Sequence, residues 1–243
     1  MLKEFIAHIQ ETTKAQIIKI GDSTFAVNAD GGANEIRPMI DHPDTLPLTS
    51  LDALVKLVRS EASGVESPLY ITIPDHLTVR CFGRPAAKER FHRQVYYEAK
   101  ATDVPGFRDG FREQEKAIIE LRSQFMPNEG TDYLLDLLSR ISKESSVTSR
   151  DNGVSQEVEA RQGIALNYGV KVKPIVPLRL YRTFQEVDQP ESDFLLRLDG
   201  DGNIGFFEAD GGMWKLRARE TVKAFLEERL AEEVSSGAVI VAL

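Results

Sequence analysis

The stretch Ser146-Val-Thr-Ser-Arg150, Asp151-Asn-Gly153, Val154-Ser-Gln-Glu-Val-Glu-Ala160 predicts a β-hairpin that is polar on both faces. Asn-Gly between two alternating runs is a strong hairpin signal, because both central residues of the turn must tolerate a positive φ. An isolated two-stranded hairpin is only marginally stable in water. We therefore expect this ribbon to lie against the rest of the chain or against a second copy.

The ribbon, residues 146–160, is also the expected site of self-association. An unpaired strand edge is a template for pairing with another chain, so assembly would satisfy its backbone groups. The residues expected at this contact are Val147, Arg150, Asn152, Val154 and Val158. The expected partner is a second copy, which makes the protein a homo-oligomer.

The segments before the ribbon predict helices and strands in clusters. Alternation predicts a hairpin at residues 16–27 and a three-stranded antiparallel meander over residues 69–100, while three prolines predict an extended loop over residues 30–47. Apolar residues at helical spacing predict four helices. Their members are Leu2, Phe5, Ile6 and Ile9; Leu51, Leu54, Val55 and Val58, with a cap at Thr49; Ile118, Ile119, Leu121 and Phe125, within residues 111–125; and Tyr133, Leu134, Leu137, Leu138 and Ile141.

The segments after the ribbon predict more sheet and a long helix. Strands are expected within residues 170–184 and at residues 193–198, with a turn at residues 199–202 into a strand at residues 204–207. A helix over residues 218–234 and a terminal strand at residues 238–242 follow. Clustered elements predict an α+β fold with antiparallel sheets, divided into halves at residues 1–127 and 128–243 or forming one continuous domain.

Composition excludes several functional classes. The chain has 243 residues with 42% hydrophobic and 28% charged residues, values typical of a globular protein. A net charge of -8 disfavours nonspecific nucleic-acid binding. Apolar runs are far shorter than the ~20 residues that span a bilayer, and the first residues lack a basic region before an apolar one. With a single cysteine, these features predict a cytoplasmic protein without membrane contact.

Basic and aromatic residues give the candidate ligand site. Arg179, Tyr181 and Arg182 alternate along a predicted strand, and Trp214, Arg217 and Arg219 form a second cluster. Cationic side chains bind phosphate and aromatic rings stack on bases, so these six residues predict a site for a phosphate-bearing small molecule or single-stranded nucleic acid. The alternative interpretation is a solvated strand face whose arginines pair with nearby acids.

Other candidate chemistry is weaker. Cys81 with His76 or His92 could form a nucleophile and base, but a lone cysteine within a strand is more typical of a sheet interior. Asp199, Asp201 and Glu208 could bind a metal for hydrolysis. The calcium-loop register fails there because Ile204 holds the position that needs glycine, and Asp-Gly is itself typical hairpin chemistry. No nucleotide-binding glycine motif occurs, so no cofactor is expected.

Four segments, residues 48–58, 77–82 with 92–100, 111–120 and 170–230, resemble the YfdQ-like proteins encoded in phages and prophages. The resemblance implies a phage-derived gene expressed in a bacterial cytoplasm, and it supplies no catalytic residue. The leading hypothesis is a non-enzymatic phage or prophage accessory protein that assembles into a homo-oligomer, with a host or phage protein as the alternative partner. The alternatives are a binding protein for a phosphate-bearing small molecule or single-stranded nucleic acid, which would antagonise host signalling or help recombination, and a metal-dependent hydrolase.

Overall fold

The chain forms two compact units, Met1–Pro43 and Asp44–Leu243, in a computed structural model. The structure describes residues 2–4, 16–21, 23–28, 30–36, 44–64, 68–85, 92–140, 146–151, 156–162, 165–166, 170–199 and 202–243. Side chains are described throughout these ranges except between residues 146 and 171. Among the described helices, none is long and apolar enough to span a membrane.

The first unit contains a three-stranded antiparallel sheet in the order β1-β2-β3. Its strands are β1 (Gln16–Ile20), β2 (Ser23–Val27) and β3 (Ala33–Ile36). The predicted first hairpin is confirmed, whereas the loop expected from residue 30 is wrong, because a turn at residues 28–32 returns the chain as β3. No residue in these three strands is buried. Residues 2–4 are helical, and the rest of the predicted first helix lies outside the described residues.

The second unit contains a mixed five-stranded sheet in the order β17-β5-β6-β7-β4. Its strands are β4 (Leu46–Leu48), β5 (Leu69–Asp75), β6 (Thr78–Phe82), β7 (Val95–Lys100) and β17 (Val239–Ala242). The predicted meander β5-β6-β7 and the terminal strand are confirmed, and β4 and β17 join as parallel edge strands. Residues 46–48 were expected in a loop because of Pro47, but an edge strand tolerates proline.

Two helices cover one face of this sheet: α1 (Leu51–Ala62) and α4 (Trp214–Arg229), which a short α5 (Ala231–Ser235) follows. The predicted apolar stripes are buried, with Leu54 and Val58 from α1 and Leu226 from α4 fully enclosed. The cap of α1 is Ser50 rather than Thr49, since the Ser50 hydroxyl accepts the Ala53 N–H at 3.2 Å. Helix α4 begins at Trp214, earlier than the expected residue 218.

A second five-stranded sheet has the order β8-β16-β15-β14-β9. Its strands are β8 (Gly110–Arg112), β9 (Phe125–Met126), β14 (Ile175–Leu180), β15 (Ser192–Leu198) and β16 (Ile204–Glu208). Helices α2 (Gln114–Gln124) and α3 (Glu129–Arg140) pack on it around Phe194, Phe206 and Leu134. The predicted helix over residues 111–125 was too long at both ends, because β8 and β9 take its first and last residues.

The ribbon belongs to a separate small sheet formed by β10 (Ser146–Asp151), β11 (Gln156–Gln162), β12 (Ala165–Leu166) and β13 (Val170–Val172). The hairpin is confirmed, but Asp151 pairs with Gln156, so four residues rather than the three expected at residues 151–153 separate the strands, and these four residues lie outside the described part. Strand β11 also pairs with β12 and β13 and approaches β15. The ribbon therefore has neighbours within its own chain.

These elements make an α+β fold, as predicted. The contact residues expected in the ribbon stay a prediction: Val147, Arg150 and Val158 lie on paired strands whose side chains are not described, and Asn152 and Val154 lie outside the described residues. The compact units divide between Pro43 and Asp44. Residues 127 and 128 mark no such division, because both five-stranded sheets take strands from before and after this point.

Candidate functional site

Arg182 and Trp214, two of the six predicted ligand residues, meet where four elements converge. Arg182 follows the end of β14, Trp214 opens α4, Glu208 ends β16, and His76 lies in the turn between β5 and β6. These elements belong to both five-stranded sheets, so the cluster lies between the two cores of the second unit.

The guanidinium of Arg182 is buried and binds groups of the protein itself. Its Nη2 donates to Glu208 Oε1 at 2.6 Å and its Nη1 to Ser192 Oγ at 3.0 Å, while its carbon lies 4.2 Å from the Trp214 ring centroid. Trp214 Nε1 donates to the other carboxylate oxygen of Glu208 at 3.1 Å. Only 3% of Arg182 is exposed. A buried charge needs such partners, and here they come from the chain itself.

The charges around Arg182 are consistent with a structural role for its side chain. Burial lowers the pKa of Arg182, and the nearby carboxylates of Glu208, Asp210 and Asp109 oppose that effect by favouring the charged form. An arginine remains protonated in proteins despite such a shift. The cluster therefore holds a permanent positive charge that is matched by acids, and it leaves no guanidinium edge free for a phosphate.

Gln189 is a buried partner that sequence reasoning missed. Its Oε1 accepts the backbone N–H groups of Arg182 at 2.8 Å and Thr183 at 3.1 Å, and its Nε2 donates to the Phe184 carbonyl at 2.9 Å. Thr183 Oγ1 in turn donates to the His76 carbonyl at 2.5 Å. These bonds fix the loop between β14 and β15 and therefore fix Arg182. A glutamine beside a proline in a loop gives no sequence signal for this role.

The other four predicted ligand residues do not join this cluster. Arg179 Nε lies 3.4 Å from Glu191 Oε2, and Arg217 Nη1 donates to the Glu191 carbonyl at 2.8 Å. Arg219 Nε donates to the Ile73 carbonyl at 2.9 Å. The Tyr181 side chain lines a separate cleft of about 150 Å³. The contact of Arg179 with an acid agrees with the alternative interpretation, whereas Arg217 and Arg219 bind backbone carbonyls instead of acids.

The acidic residues suggested as metal ligands form no metal site among the described residues. Asp199 Oδ1 accepts the Asn203 N–H at 2.9 Å, Glu208 binds Arg182 and Trp214, and Asp201 lies outside the described residues. Within the described ranges, no group of three His, Cys, Asp or Glu residues could hold a metal.

Cys81 is fully buried in β6, as expected for a sheet interior. Burial raises the pKa of its thiol to about 12, and the charge of Glu61 adds to this. A thiol with such a pKa remains protonated at neutral pH, whereas the thiolate is the nucleophilic form. The arrangement therefore argues against Cys81 as a nucleophile.

A groove of about 260 Å³ beside β8 was not predicted from the sequence. Residues from the segment before β8, from β8 itself and from α2 line it: Gly106, Arg108, Asp109, Gly110, Phe111, Arg112, Lys116, Glu120 and Gln124. Three of these residues are cationic, and Phe111 is 50% exposed. The basic residues are scattered between a strand and a helix, so they form no run in the sequence.

Comparisons with known proteins found no relative of this chain. No family model, no curated protein and no solved structure matches this chain.

Proposed function

We propose that this protein is a non-enzymatic phage or prophage accessory protein of the bacterial cytoplasm that assembles into a homo-oligomer through sheet edges. Its phage origin is supported by the resemblance of four segments to the YfdQ-like family. Its assembly is supported by one structural observation, which is an unprotected apolar edge strand at β17.

Strand β17 reads Val239-Ile-Val-Ala242 and pairs with β5 on one side. No other described strand pairs with its second side. Edge strands of natural proteins usually carry lysine, proline or a bulge that prevents pairing with another chain. Strand β17 has none of these, and Ile240 and Leu243 are 45% and 46% exposed. Such an edge favours pairing with another strand.

The occupant that we propose is β17 of a second copy. Antiparallel pairing about a two-fold axis places the strand opposite itself. Like charges directly opposite each other destabilise a sheet, but β17 carries no charged side chain. The pairing would join two five-stranded sheets into one continuous sheet and would satisfy both free edges.

The test removes a backbone N–H group that only pairing with a second copy would use. Leu69 N–H donates to the Ala238 carbonyl at 2.9 Å, so alternate residues of β17 face β5 and the N–H of Val241 faces the free edge. Val241→Pro removes that donor without removing a bond to β5. Val241→Thr, which keeps the N–H and the shape, is the matched control.

Native mass spectrometry of the purified proteins gives the readout. We expect an oligomer for the unchanged chain and for Val241→Thr, and a smaller species for Val241→Pro with an unchanged far-UV circular dichroism spectrum. If Val241→Pro keeps the oligomer mass, β17 is not the contact. If the unchanged chain is monomeric across micromolar concentrations, the proposal of assembly fails.

The sheet of the first unit offers a second contact surface for a copy of the chain. Edge strand β1 exposes Ile17, Ile18 and Ile20 at 71%, 40% and 66%, and none of the residues in the three described strands of this unit is buried. Units of about 40 residues rarely bury enough apolar surface to be stable without further support. Contact between copies would cover these isoleucines, so Ile17→Thr with Ile20→Thr should lower the oligomer mass or its affinity.

A further inference from the structure

Apolar side chains form a row on one face of the second five-stranded sheet. Helices α2 and α3 pack on the opposite face, where Phe194 and Phe206 are buried. Successive residues of a strand point to opposite faces, so the residues that alternate with these two lie on the face away from the helices. The strand pairings align three such side chains across β14, β15 and β16: Ile175, Leu195 and Phe207. This apolar row is accessible, because 51% of Ile175 is exposed and the other two are only partly buried.

A second aromatic ring extends the apolar row toward β8. Phe111 pairs with Gly205, which places its ring on the same face as Phe207, and the two rings meet edge to face with 5.6 Å between centroids. An added Cβ on Gly205 would come 2.9 Å from the Phe111 ring, so the glycine leaves room for it. Half of Phe111 is exposed. A contiguous apolar surface of this kind is typical of a contact with another protein.

Two charges of opposite sign flank the apolar row on the same strand. Asp193 and Arg197 lie two residues before and two residues after Leu195 in β15, so all three point to the same face. Each charged residue lies about 7 Å from Leu195 along the strand. Within the described ranges neither side chain forms an ion pair, and the Arg197 guanidinium donates to the Leu196 carbonyl at 3.1 Å. The face therefore presents a negative and a positive group at equal distances from its apolar centre.

We propose that this face packs against the same face of a second copy, related by a two-fold axis that runs along the apolar row. Such an axis reverses the strand direction in the second copy, so Leu195 meets its counterpart and Asp193 of each copy lies opposite Arg197 of the other. Sheets that pack face to face keep their strand directions within about 30° and lie about 10 Å apart, a distance at which facing side chains touch. The charges are complementary to themselves, which favours a second copy over an unrelated protein.

The face contact extends the proposed assembly and does not depend on the edge contact at β17, which lies in the other five-stranded sheet. Val241→Pro removes the edge contact, so this variant should remain a dimer that is held by the faces. Conversely, changes to the face in the unchanged chain should leave the edge contact intact. Failure of one contact is therefore visible separately from failure of the other.

The experiment is sedimentation equilibrium of the full chain carrying Val241→Pro, with charge changes added to it. Asp193→Arg or Arg197→Asp alone places like charges opposite each other at two positions of the dimer, so each should raise the Kd of the dimer by about tenfold. An equimolar mixture of these two variants should dimerise again, because unlike charges then face each other at both positions. Effects on folding or solubility alone would not produce this recovery.

A change in the apolar row and two matched controls complete the test. Leu195→Thr keeps a strand-forming residue and should raise the Kd by about tenfold, because it removes apolar contact at the centre of the interface. The controls Ile119→Thr and Arg122→Asp change exposed residues of α2, on the other side of the sheet, and should leave the Kd unchanged.

Three results would overturn the proposal. The first is a folded Val241→Pro chain that is monomeric across micromolar concentrations. The second is a mixture of Asp193→Arg and Arg197→Asp chains that dimerises no better than either variant alone. The third is an equal rise of the Kd in the face variants and in the α2 controls.

Discussion

The guanidinium carbon of Arg182 lies 4.2 Å from the centroid of the Trp214 ring, and both side chains bind the carboxylate of Glu208. The pair joins the end of β14 to the first residue of α4. Its geometry is that of a buried structural link between the second five-stranded sheet and the helix that covers the first.

Replacing Arg182 by methionine should destabilise the protein by about 2 to 3 kcal/mol. The change leaves the Glu208 carboxylate without its main partner, and Glu208 is only partly exposed, with 29% of its side chain accessible. Urea unfolding measures the effect. Arg179→Gln is the control, since Arg179 forms an exposed pair with Glu191 and should contribute less than about 1 kcal/mol. Equal losses in both variants would contradict a structural role for the buried pair.

Stability should decrease as the pH falls below about 6.5, partly because of His76. Burial lowers the pKa of its imidazole; Asp75 opposes this, and Lys215 and Arg182 add to it. The unfolded chain therefore takes up a proton at a pH where the folded chain does not, which favours unfolding.

Urea unfolding of His76→Gln above and below this pH measures the contribution. The variant should lose part of the pH dependence, whereas His92→Gln, at an exposed position, should keep it. An unchanged pH profile in His76→Gln would show that another group causes the dependence.

The Cys81 thiol should be unreactive in the folded protein. It is fully buried, and its pKa is raised to about 12. Ellman's reagent should react quickly with this thiol in denaturant. Without denaturant, the reaction should be no faster than unfolding of the protein. Rapid labelling of the native protein would show that the thiol is accessible and would reopen the possibility of a nucleophilic role.

Gly130 should not tolerate a methyl group. It lies buried in α3, where an added Cβ would come 2.1 Å from the backbone carbonyl oxygen of Pro177. Neither the helix nor the strand can move freely, so we expect Gly130→Ala to cost about 1 to 3 kcal/mol. Gly64→Ala is the matched control, because its Cβ would meet nothing closer than 3.7 Å. A neutral Gly130→Ala would imply that α3 and β14 pack less closely.

Local sequence patterns predicted most of the elements because their signals are short-range. The apolar stripe of α1 and the alternation of β5, β6 and β7 depend on neighbouring residues, so both were visible in the sequence. Strand β4 was missed because Pro47 argues against a strand unless the strand lies at an edge, and edge position depends on distant residues. The length of α2 was overestimated because β8 and β9 form only by pairing with β16 and β14.

The candidate site was harder to predict for the same reason. Arg182 and Trp214 were predicted to bind a ligand, but the structure shows both bound to Glu208, which is 26 residues from Arg182 in the chain. Sequence could not show whether the charge of Arg182 is free or neutralised. The groove beside β8 was missed because its lining residues come together only when β8 turns into α2.

Light scattering coupled to size-exclusion chromatography tests whether copies of this chain associate as proposed. We expect the unchanged protein to elute with a mass that is a multiple of 27.2 kDa, with dissociation on dilution. A mass of a single chain across micromolar concentrations, from a folded sample, would contradict the claim.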